Sequence, residues 1–420
     1  MATATFSKRF QWKRNVARSP KWRVFSIQLE YSRPDLFDRM KEGDVASYRE
    51  AYQYVERSLR EMLTRRALSS SYHRIISYQT TPLLSCDGIQ VFRVDDRYVY
   101  VGSYCGKIEI LNRWTGLRVK EKQVYEEHTY LKGLHVNQQL LAVKYWSGNI
   151  RILDLATLEQ VQLISELPVK TLNNRNAEDF CLRGHLLVNA ERIGNGQQSL
   201  AITLRRFNPS THQFGPVFRR ALLPFNGRVL CHKSIHMDER YVIVDTRMDS
   251  GVRLLTAFDS ESLLRIGQRE FRCSQYDSMQ SECRRGVVTV QYLTYKGTSC
   301  VAAWDIEKNI VQTVLDHPIQ FDLSSVVHHF PEYQIVINYR NKSIQLLPVK
   351  ARQRKSHCSA SFGRCIYKLP SPVISDWPIN SNMKANRFYF DGFQMVFVEK
   401  RFNRLRIVDF WNHSSTVIPN

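Results

Sequence analysis

Residues 89–116 read IQVFRVDDRYVYVGSYCGKIEILNRWTG, and the order of apolar and polar positions within them decides the fold. An apolar, alternating run ends at Val94, and the polar pair Asp95-Asp96 follows. Tyr98 to Val101 makes a second run, a glycine turn follows at Gly106, and a third run closes on Leu111-Asn112. Alternation with period two is the mark of a strand, whose successive side chains point to opposite faces. Polar pairs such as Asp95-Asp96 suit tight hairpins.

The pattern recurs in LKGLHVNQQLLAVKYWSGNIRILDLAT (131–157), DFCLRGHLLVNAERIGNGQQSLAITLRRFNPST (179–211), IHMDERYVIVDTRMDSGVRLLTAFDSES (235–262) and SECRRGVVTVQYLTYKGTSCVAAWDIEKN (281–309). Looser copies occupy 327–351 and 386–415. Anchored on the apolar residue before the first turn (Val94, Val136, Leu182, Met237, Cys283, Phe330, Phe390), the copies are 42, 46, 55, 46, 47 and 60 residues apart. A four-stranded propeller blade repeats every ~40–45 residues, and loop insertions account for the longer intervals. The expected fold is mainly β: a seven-bladed propeller over residues 72–420, preceded by a small α-helical segment over residues 1–71. Its last blade needs an outer strand, and either Arg74–Gln79 or Ser415–Pro419 is placed to supply it.

The units resemble those of WD-repeat propellers over about residues 86–420. The third run of a WD unit ends in Trp-Asp, and Trp304-Asp305 matches in full. Leu153-Asp154, Phe258-Asp259 and Val408-Asp409 keep the aspartate, Leu111-Asn112 and Phe207-Asn208 match more weakly, and Leu347-Pro348 departs. His128, His232 and His317 stand where the family's Gly-His would fall. These histidines and aspartates are expected to tie strands together through hydrogen bonds and to take no catalytic or metal role.

The N-terminal segment has a different composition. In SYREAYQYVERSLREMLTRR (47–66), Tyr48, Ala51, Tyr52, Val55, Leu59, Met62 and Leu63 recur at three- and four-residue steps, so one amphipathic helix is expected, capped by Asp44 or Ser47. FSKRFQWKRNVARSPKWR (6–23) with this helix resembles the end of an F-box and the linker that joins it to a WD propeller. The resemblance rests on Trp12 and Trp22 in the basic tract and on Tyr48, Arg49 and Tyr52 in the helix. It implies a substrate receptor of an F-box-type ubiquitin ligase, with a Skp-type adaptor and a cullin as partners. The Leu-Pro start and Leu-rich adaptor-binding helices of an F-box have no counterpart in residues 1–26, and adaptor docking depends on them.

Composition narrows the function classes. Of 420 residues, 43% are hydrophobic and 24% charged, which is ordinary for a folded chain. No apolar run approaches the ~20 residues of a membrane-spanning helix, and no membrane role is expected. Nine cysteines, spread singly with no CxxC pair, indicate neither a disulfide framework nor a zinc cluster. They suit a reducing cytoplasmic or nuclear location. No GxxxxGK[ST], HExxH or GxSxG occurs, so no catalytic residue, cofactor or metal ligand is assigned and an enzyme is not expected.

The formal net charge of +21 departs from the average. Residues 1–26 carry +7, residues 350–368 carry +6, and the rest of residues 72–420 carries +8. Such a balance favours acidic partners. Turns between the second and third strands of each blade would line one rim. They bring Tyr104, Trp146, Arg192, Arg247, Lys296, Tyr339, Arg340, Lys400 and Arg401 to that side. Guanidinium forks and rigid aromatics suit an acidic or phosphorylated protein segment. Against this, turns are polar in any protein, and Asp245 and Asp249 flank Arg247. A second basic tract, Lys350, Arg352, Arg354 and Lys355, lies between the sixth and seventh units. It reads as a nuclear-import signal, a nucleic-acid contact or a solvated insertion. The alternative function is therefore an RNA- or chromatin-associated propeller scaffold.

Overall fold

The computed structural model describes residues 34–41, 46–47, 49–51, 53–54, 74–79, 88–124, 130–165, 179–193, 199–224, 229–248, 252–272, 280–284, 286–293, 299–316, 325–329, 333–338, 343–348, 364–368, 388–390, 394–399 and 404–409. Their strands form seven antiparallel sheets, each carrying one of the seven sequence units. The first sheet runs Ile89–Val94, Tyr98–Ser103, Lys107–Asn112, Arg118–Gln123 in spatial as in chain order. The second repeats this with Leu131–Val136, Leu140–Tyr145, Ile150–Asp154 and Gln160–Ile164. The third adds a two-residue strand, Gln213–Phe214, that pairs with Ser199–Asn208 ahead of the outer Arg219–Pro224.

First strands of successive sheets lie against one another, from Ile89–Val94 through Leu131–Val136, Phe180–Arg183 and Val229–Met237 to Gln280–Arg284. They are therefore the innermost strands. Fourth strands such as Arg118–Gln123 (RVKEKQ) alternate between exposed and half-buried positions and face outward. Each inner sheet buries both faces, as the apolar clusters show. Tyr100, Ile108 and Ile110 of the first sheet pack with Leu131, Leu134 and Leu141 of the second. Similar clusters join the second to the third, the third to the fourth and the fourth to the fifth sheet. Trp304, of the one full Trp-Asp pair, is fully buried between the fourth and fifth sheets. Beside it, Gly267 leaves only enough room for the indole: a Cβ there would lie 3.1 Å from Trp304 Cζ2.

The seventh sheet contains Phe388–Phe390, Gln394–Glu399 and Arg404–Asp409, and its outer strand is Arg74–Gln79. Arg74 pairs with Asp409 and Gln79 with Arg404. Of the two segments considered for closure, the N-terminal one supplies the strand. Val396, Val398, Leu405 and Ile407 then pack on Ile89, Phe92, Val99, Val101 and Leu111 of the first sheet. At this junction Arg113, fully buried, donates from Nε to Gln394 Oε1 at 2.5 Å and from Nη1 to the Asp95 carbonyl at 2.9 Å. Its guanidinium lies 4.8 Å from the Trp114 ring centroid and 5.4 Å from that of Tyr389.

The Trp-Asp position caps the turn between third and fourth strands. Asp154 Oδ1 accepts the Thr157 N–H at 2.8 Å, Asp259 that of Ser262 at 2.8 Å, and Asp305 that of Lys308 at 3.0 Å. Asn112 and Asn208 do the same with Trp114 and Ser210, because an amide oxygen is an equivalent acceptor. Four residues after each cap the backbone turns left-handed, at Gly116, Leu158, His212, Leu263 and Asn309, with φ of 74°, 61°, 52°, 54° and 55°. Leu158 and Leu263 hold this costly conformation while their side chains are buried in the clusters between sheets. Asp154, Asp259 and Asp305 thus hold turns by hydrogen bonds, whereas the Asp409 side chain lies outside the described residues. Of the three histidines, His232 falls in the inner strand Val229–Met237, while His128 and His317 lie outside the described residues.

Ahead of the sheets, the helix Pro34–Lys41 buries Leu36 and Met40. It falls within the segment expected to be helical, ahead of the one helix placed there from the sequence. Helical residues resume at 46–47, 49–51 and 53–54, within the predicted amphipathic stretch, and Arg39 pairs with Glu50 at 3.3 Å. The remainder of that stretch, 55–66, lies outside the described residues.

Two outcomes follow from these contacts. Gln394→Ala removes a side-chain acceptor from the buried Arg113 and is expected to lower stability by about 2–3 kcal/mol in urea unfolding. The second concerns pH. N–H groups of the turns hold Asp154, Asp259 and Asp305 below the ordinary carboxylate value. For Asp238, burial pushes the carboxyl up, but N–H bonds from Gly286, Arg240 and Tyr241 outweigh it and hold the group down. A depressed carboxylate stabilises the fold above its unfolded pKa and loses that contribution as pH falls through its folded one. The urea midpoint should therefore fall below about pH 4, and less steeply in Asp154→Asn/Asp259→Asn, which keeps the acceptor oxygens without the charge.

Candidate functional site

The turns between second and third strands are built alike in the first two sheets. In residues 103–107 the Gly106 N–H bonds to the Ser103 carbonyl at 3.1 Å, and in residues 145–149 the Gly148 N–H bonds to that of Tyr145, also at 3.1 Å. Both glycines are left-handed, with φ of 89° and 98°. A Cβ on Gly106 would lie 2.3 Å from the Val124 carbonyl oxygen, so a side chain there has no room.

These turns present Tyr104 and Trp146, the two predicted rim residues whose side chains are described, and the structure joins them through Tyr130. The Tyr104 and Tyr130 rings stack with centroids 4.0 Å apart. The Tyr130 carbonyl accepts the Trp146 N–H at 3.0 Å, while the Tyr104 N–H bonds to the Gly88 carbonyl at 2.9 Å. Over the Trp146 ring, at 5.6 Å, stands the Lys132 ammonium. Lys132 is the extra residue of a β-bulge between Leu131 and Gly133, a device that re-aims a side chain.

Lys132 Nζ reaches Asp179 Oδ2 at 2.5 Å, just ahead of the third sheet. Lys144 Nζ lies 3.2 Å from the other oxygen of that carboxylate and 2.5 Å from Asn189 Oδ1. The three charged side chains are 8%, 7% and 3% exposed for Lys132, Asp179 and Lys144, so their attraction is little screened by water. In the first turn, burial works to lower the Lys107 pKa, but pairing with Glu121 and Glu109, both at 3.1 Å, raises it overall. Lys107 is thereby engaged within its own sheet.

Of the other predicted rim residues, the backbone places Arg192 and Arg247 at the ends of second strands, Leu186–Ile193 and Tyr241–Met248. Their side chains are outside the description. Asp245, considered as a partner of Arg247, receives a two-pronged pair of hydrogen bonds from Arg253. Lys296, Tyr339, Arg340, Lys400, Arg401 and the tract of Lys350, Arg352, Arg354 and Lys355 lie outside the described residues. Tyr130, Lys132, Lys144 and Asp179 were missed in the sequence reading. A signal existed for Lys144: it occupies the register position held by Gly102 in the first sheet, a charge inside an otherwise apolar strand.

At the opposite ends of the first two sheets, Tyr98, Tyr100, Val119, Leu140, Asp154 and Lys120 help line a groove of about 450 Å³. Neither Tyr104 nor Trp146, the predicted site residues whose side chains are described, lines it.

No protein-family model and no curated protein matches the chain. Solved structures do. The WD40 domain of Pan2 from Neurospora crassa is 10% identical, with 83% of this chain and 98% of that one covered and a TM-score of 0.51. The β-propeller domain of Cps50 (Swd1) from Myceliophteria thermophila is 11% identical, covers 79% and 99%, and scores 0.48. BamB from Moraxella catarrhalis is 13% identical, covers 77% and 85%, and scores 0.45. At these identities the likeness is one of fold, and the Pan2 comparison carries it: a WD40-type β-propeller.

The buried charges give a stability test. Asp179→Ala removes the carboxylate that two buried ammonium groups share and is expected to cost about 3 kcal/mol in urea unfolding. Lys122 pairs with Glu159 at 2.6 Å, but Glu159 is 74% exposed. Lys122→Ala should change stability by less than about 0.5 kcal/mol.

Proposed function

We propose that the chain is a non-catalytic protein-interaction scaffold whose rim of second-to-third-strand turns holds an acidic or phosphorylated segment of a partner. The observation that carries this reading is the placement of Tyr104 and Trp146 on two adjacent turns, with Tyr130, just ahead of Leu131–Val136, stacked on Tyr104 and bonded through its carbonyl to the Trp146 N–H. Partly exposed aromatics fixed in this way offer contact area at low entropic cost. The sequence adds cations to the same series of turns at Lys296, Arg340, Lys400 and Arg401, and the net charge of +21 favours acidic ligands. The resemblance of residues 6–23 and 47–66 to an F-box end and linker extends the reading. The scaffold then serves as a substrate receptor in an F-box-type ubiquitin ligase, bound to a Skp-type adaptor and a cullin, in the cytoplasm or nucleus.

The rival is an RNA- or chromatin-bound scaffold, favoured by the basic tract of residues 350–355. One set of measurements separates the two. Affinity capture with the full chain should recover a Skp-type adaptor, a cullin and a target protein, and Arg340→Ala/Arg401→Ala should lose the target with the thermal midpoint unchanged. Single-stranded RNA should bind with a log affinity nearly independent of log salt, because each phosphate contact would add roughly −0.7 to the slope. A steep slope with no adaptor or target recovered would replace this reading with the rival.

A further inference from the structure

We propose that Arg206 and Arg219, both held on Phe218 at the outer wall of the third sheet, bind the phosphate of a phosphorylated, extended protein segment that pairs with the open edge of Arg219–Pro224. This surface is separate from the rim. Arg206 and Arg219 lie toward the end of Ser199–Asn208 that is remote from the second-to-third-strand turn.

The first observation is charge without a counter-charge. Residues 192–237 contain seven Arg and Lys and no Asp or Glu. Cations on the outer strands and turns of other sheets meet carboxylates: Arg118 pairs with Glu121, Lys122 with Glu159, Arg240 with Glu307 and Lys308 with Asp305. Arg206 and Arg219 are both exposed, and among the described residues neither has a carboxylate within ion-pair distance. Leu204 pairs with Arg219 in the ladder, so Arg206, two residues beyond Leu204, is a diagonal neighbour of Arg219 on the same face, at a spacing of roughly 7–8 Å. Like charges set this close repel, and a phosphate dianion between them removes the repulsion.

The second observation is that the two forks are already placed. The guanidinium carbons of Arg206 and Arg219 stand 5.0 and 5.9 Å from the centroid of the Phe218 ring. Phe218 is half-buried against the apolar cluster between the third and fourth sheets, and its N–H bonds to the Leu204 carbonyl at 3.1 Å. A guanidinium lying against a ring uses its flat face and keeps its N–H edge for a phosphate. Forks fixed before the ligand arrives bind it at lower entropic cost.

The third observation makes the ligand a peptide. Among the described strands Arg219–Pro224 pairs only with Ser199–Asn208, so its other edge presents backbone N–H and C=O groups at strand spacing. Period two puts Arg219 on one face of this strand and Leu222, 59% exposed, on the other. A strand added at this edge sets its phosphorylated residue toward the arginines and the residues on either side of it toward the face of Leu222. Single-stranded nucleic acid instead needs open ring faces for its bases, and the Phe218 ring is occupied by its own arginines.

The test uses the full chain and fluorescence anisotropy. The probe is a short labelled peptide of alternating valine and serine with its central serine phosphorylated. It is titrated beside its unphosphorylated form, a form with prolines in place of the valines, inorganic phosphate and a single-stranded RNA. Titrations run in parallel in wild type and in Arg340→Ala/Arg401→Ala, which removes any share held by the rim. In that background the phosphopeptide is expected to bind still, with the unphosphorylated and proline forms weaker by about tenfold or more. Adding Arg206→Ala/Arg219→Ala should cost the same factor at an unchanged thermal midpoint, while adding Lys122→Ala, on the outer strand of the first sheet, should cost nothing. Should the alanine pair unfold the chain, Arg206→Gln/Arg219→Gln, which keeps the stems on Phe218, decides in its place. Binding that vanishes in the rim background belongs to the rim, and the wall proposal then fails while the rim reading stands. Equal binding with and without the two arginines, equal binding of the unphosphorylated or the proline form, or an equal loss in Lys122→Ala would overturn the proposal. So would inorganic phosphate competing on a par with the phosphopeptide, or RNA binding that needs the arginine pair where no peptide binds.

Discussion

The pairing of Arg74–Gln79 with Arg404–Asp409 is the contact on which the other sheets depend. A β-sheet with both faces apolar is stable only when each face meets a neighbour, and a row of such sheets leaves one uncovered face at each end. Bending the row until its ends meet removes both. Here the meeting is made by backbone pairing on the outside and by apolar packing further in, where Val396 and Ile407 lie against Val99 and Leu111. Between them the buried Arg113–Gln394 bond adds a directional contact that apolar packing alone does not supply. A hydrogen bond to a buried guanidinium tolerates little displacement, so the junction is set in register as well as in position.

Elsewhere neighbouring sheets are tied by side chain to backbone bonds that place few demands on identity. Asn137 Nδ2 donates to the Gly184 carbonyl at 2.5 Å, Arg183 Nη1 to that of Met237 at 3.1 Å, and the Gly286 N–H to Asp238 Oδ2 at 2.6 Å. Further out, Gln162 both donates to and accepts from the backbone of Phe214. A backbone group is present whatever the residue, so only the reaching side chain must be polar and long enough. The turn caps are equally permissive, since Asp and Asn serve alike. Identity of 10% to the Pan2 domain at a shared fold is the expected result of such a design.

The same permissiveness governs what the sequence reveals. Period-two alternation and turn residues are local, so the seven units and their strands were legible from residues 89–116 outward. The ties are not local. Arg113 and Gln394 meet at the closing junction although 281 residues separate them in the sequence, and Asp179 meets Lys132 through a bulge that shifts the inner strand by one residue. The closing strand was named as one of two possibilities, because RIISYQ is an ordinary strand sequence with no mark of its partner. For the rim, Tyr104 and Trp146 were found because both lie in a glycine turn. Tyr130 was missed because it precedes a strand in a connection whose path has no periodicity to read.

Closure by the N-terminal strand also has a consequence for how the molecule is made. On a ribosome, residues 74–79 emerge ahead of the other strands of all seven sheets, yet their partners 404–409 follow only after the intervening sheets. The first sheet, meanwhile, folds with Ile89, Phe92 and Val101 facing a neighbour that has not yet been translated. Until residues 394–409 emerge, the nascent chain therefore carries an exposed apolar wall and an unpaired strand, the two features most apt to attract unwanted company. Loop-closure entropy rises slowly with length, so the late meeting of the ends is not itself costly. The vulnerable quantity is time: slower translation of the seventh unit lengthens the interval in which these surfaces stand uncovered.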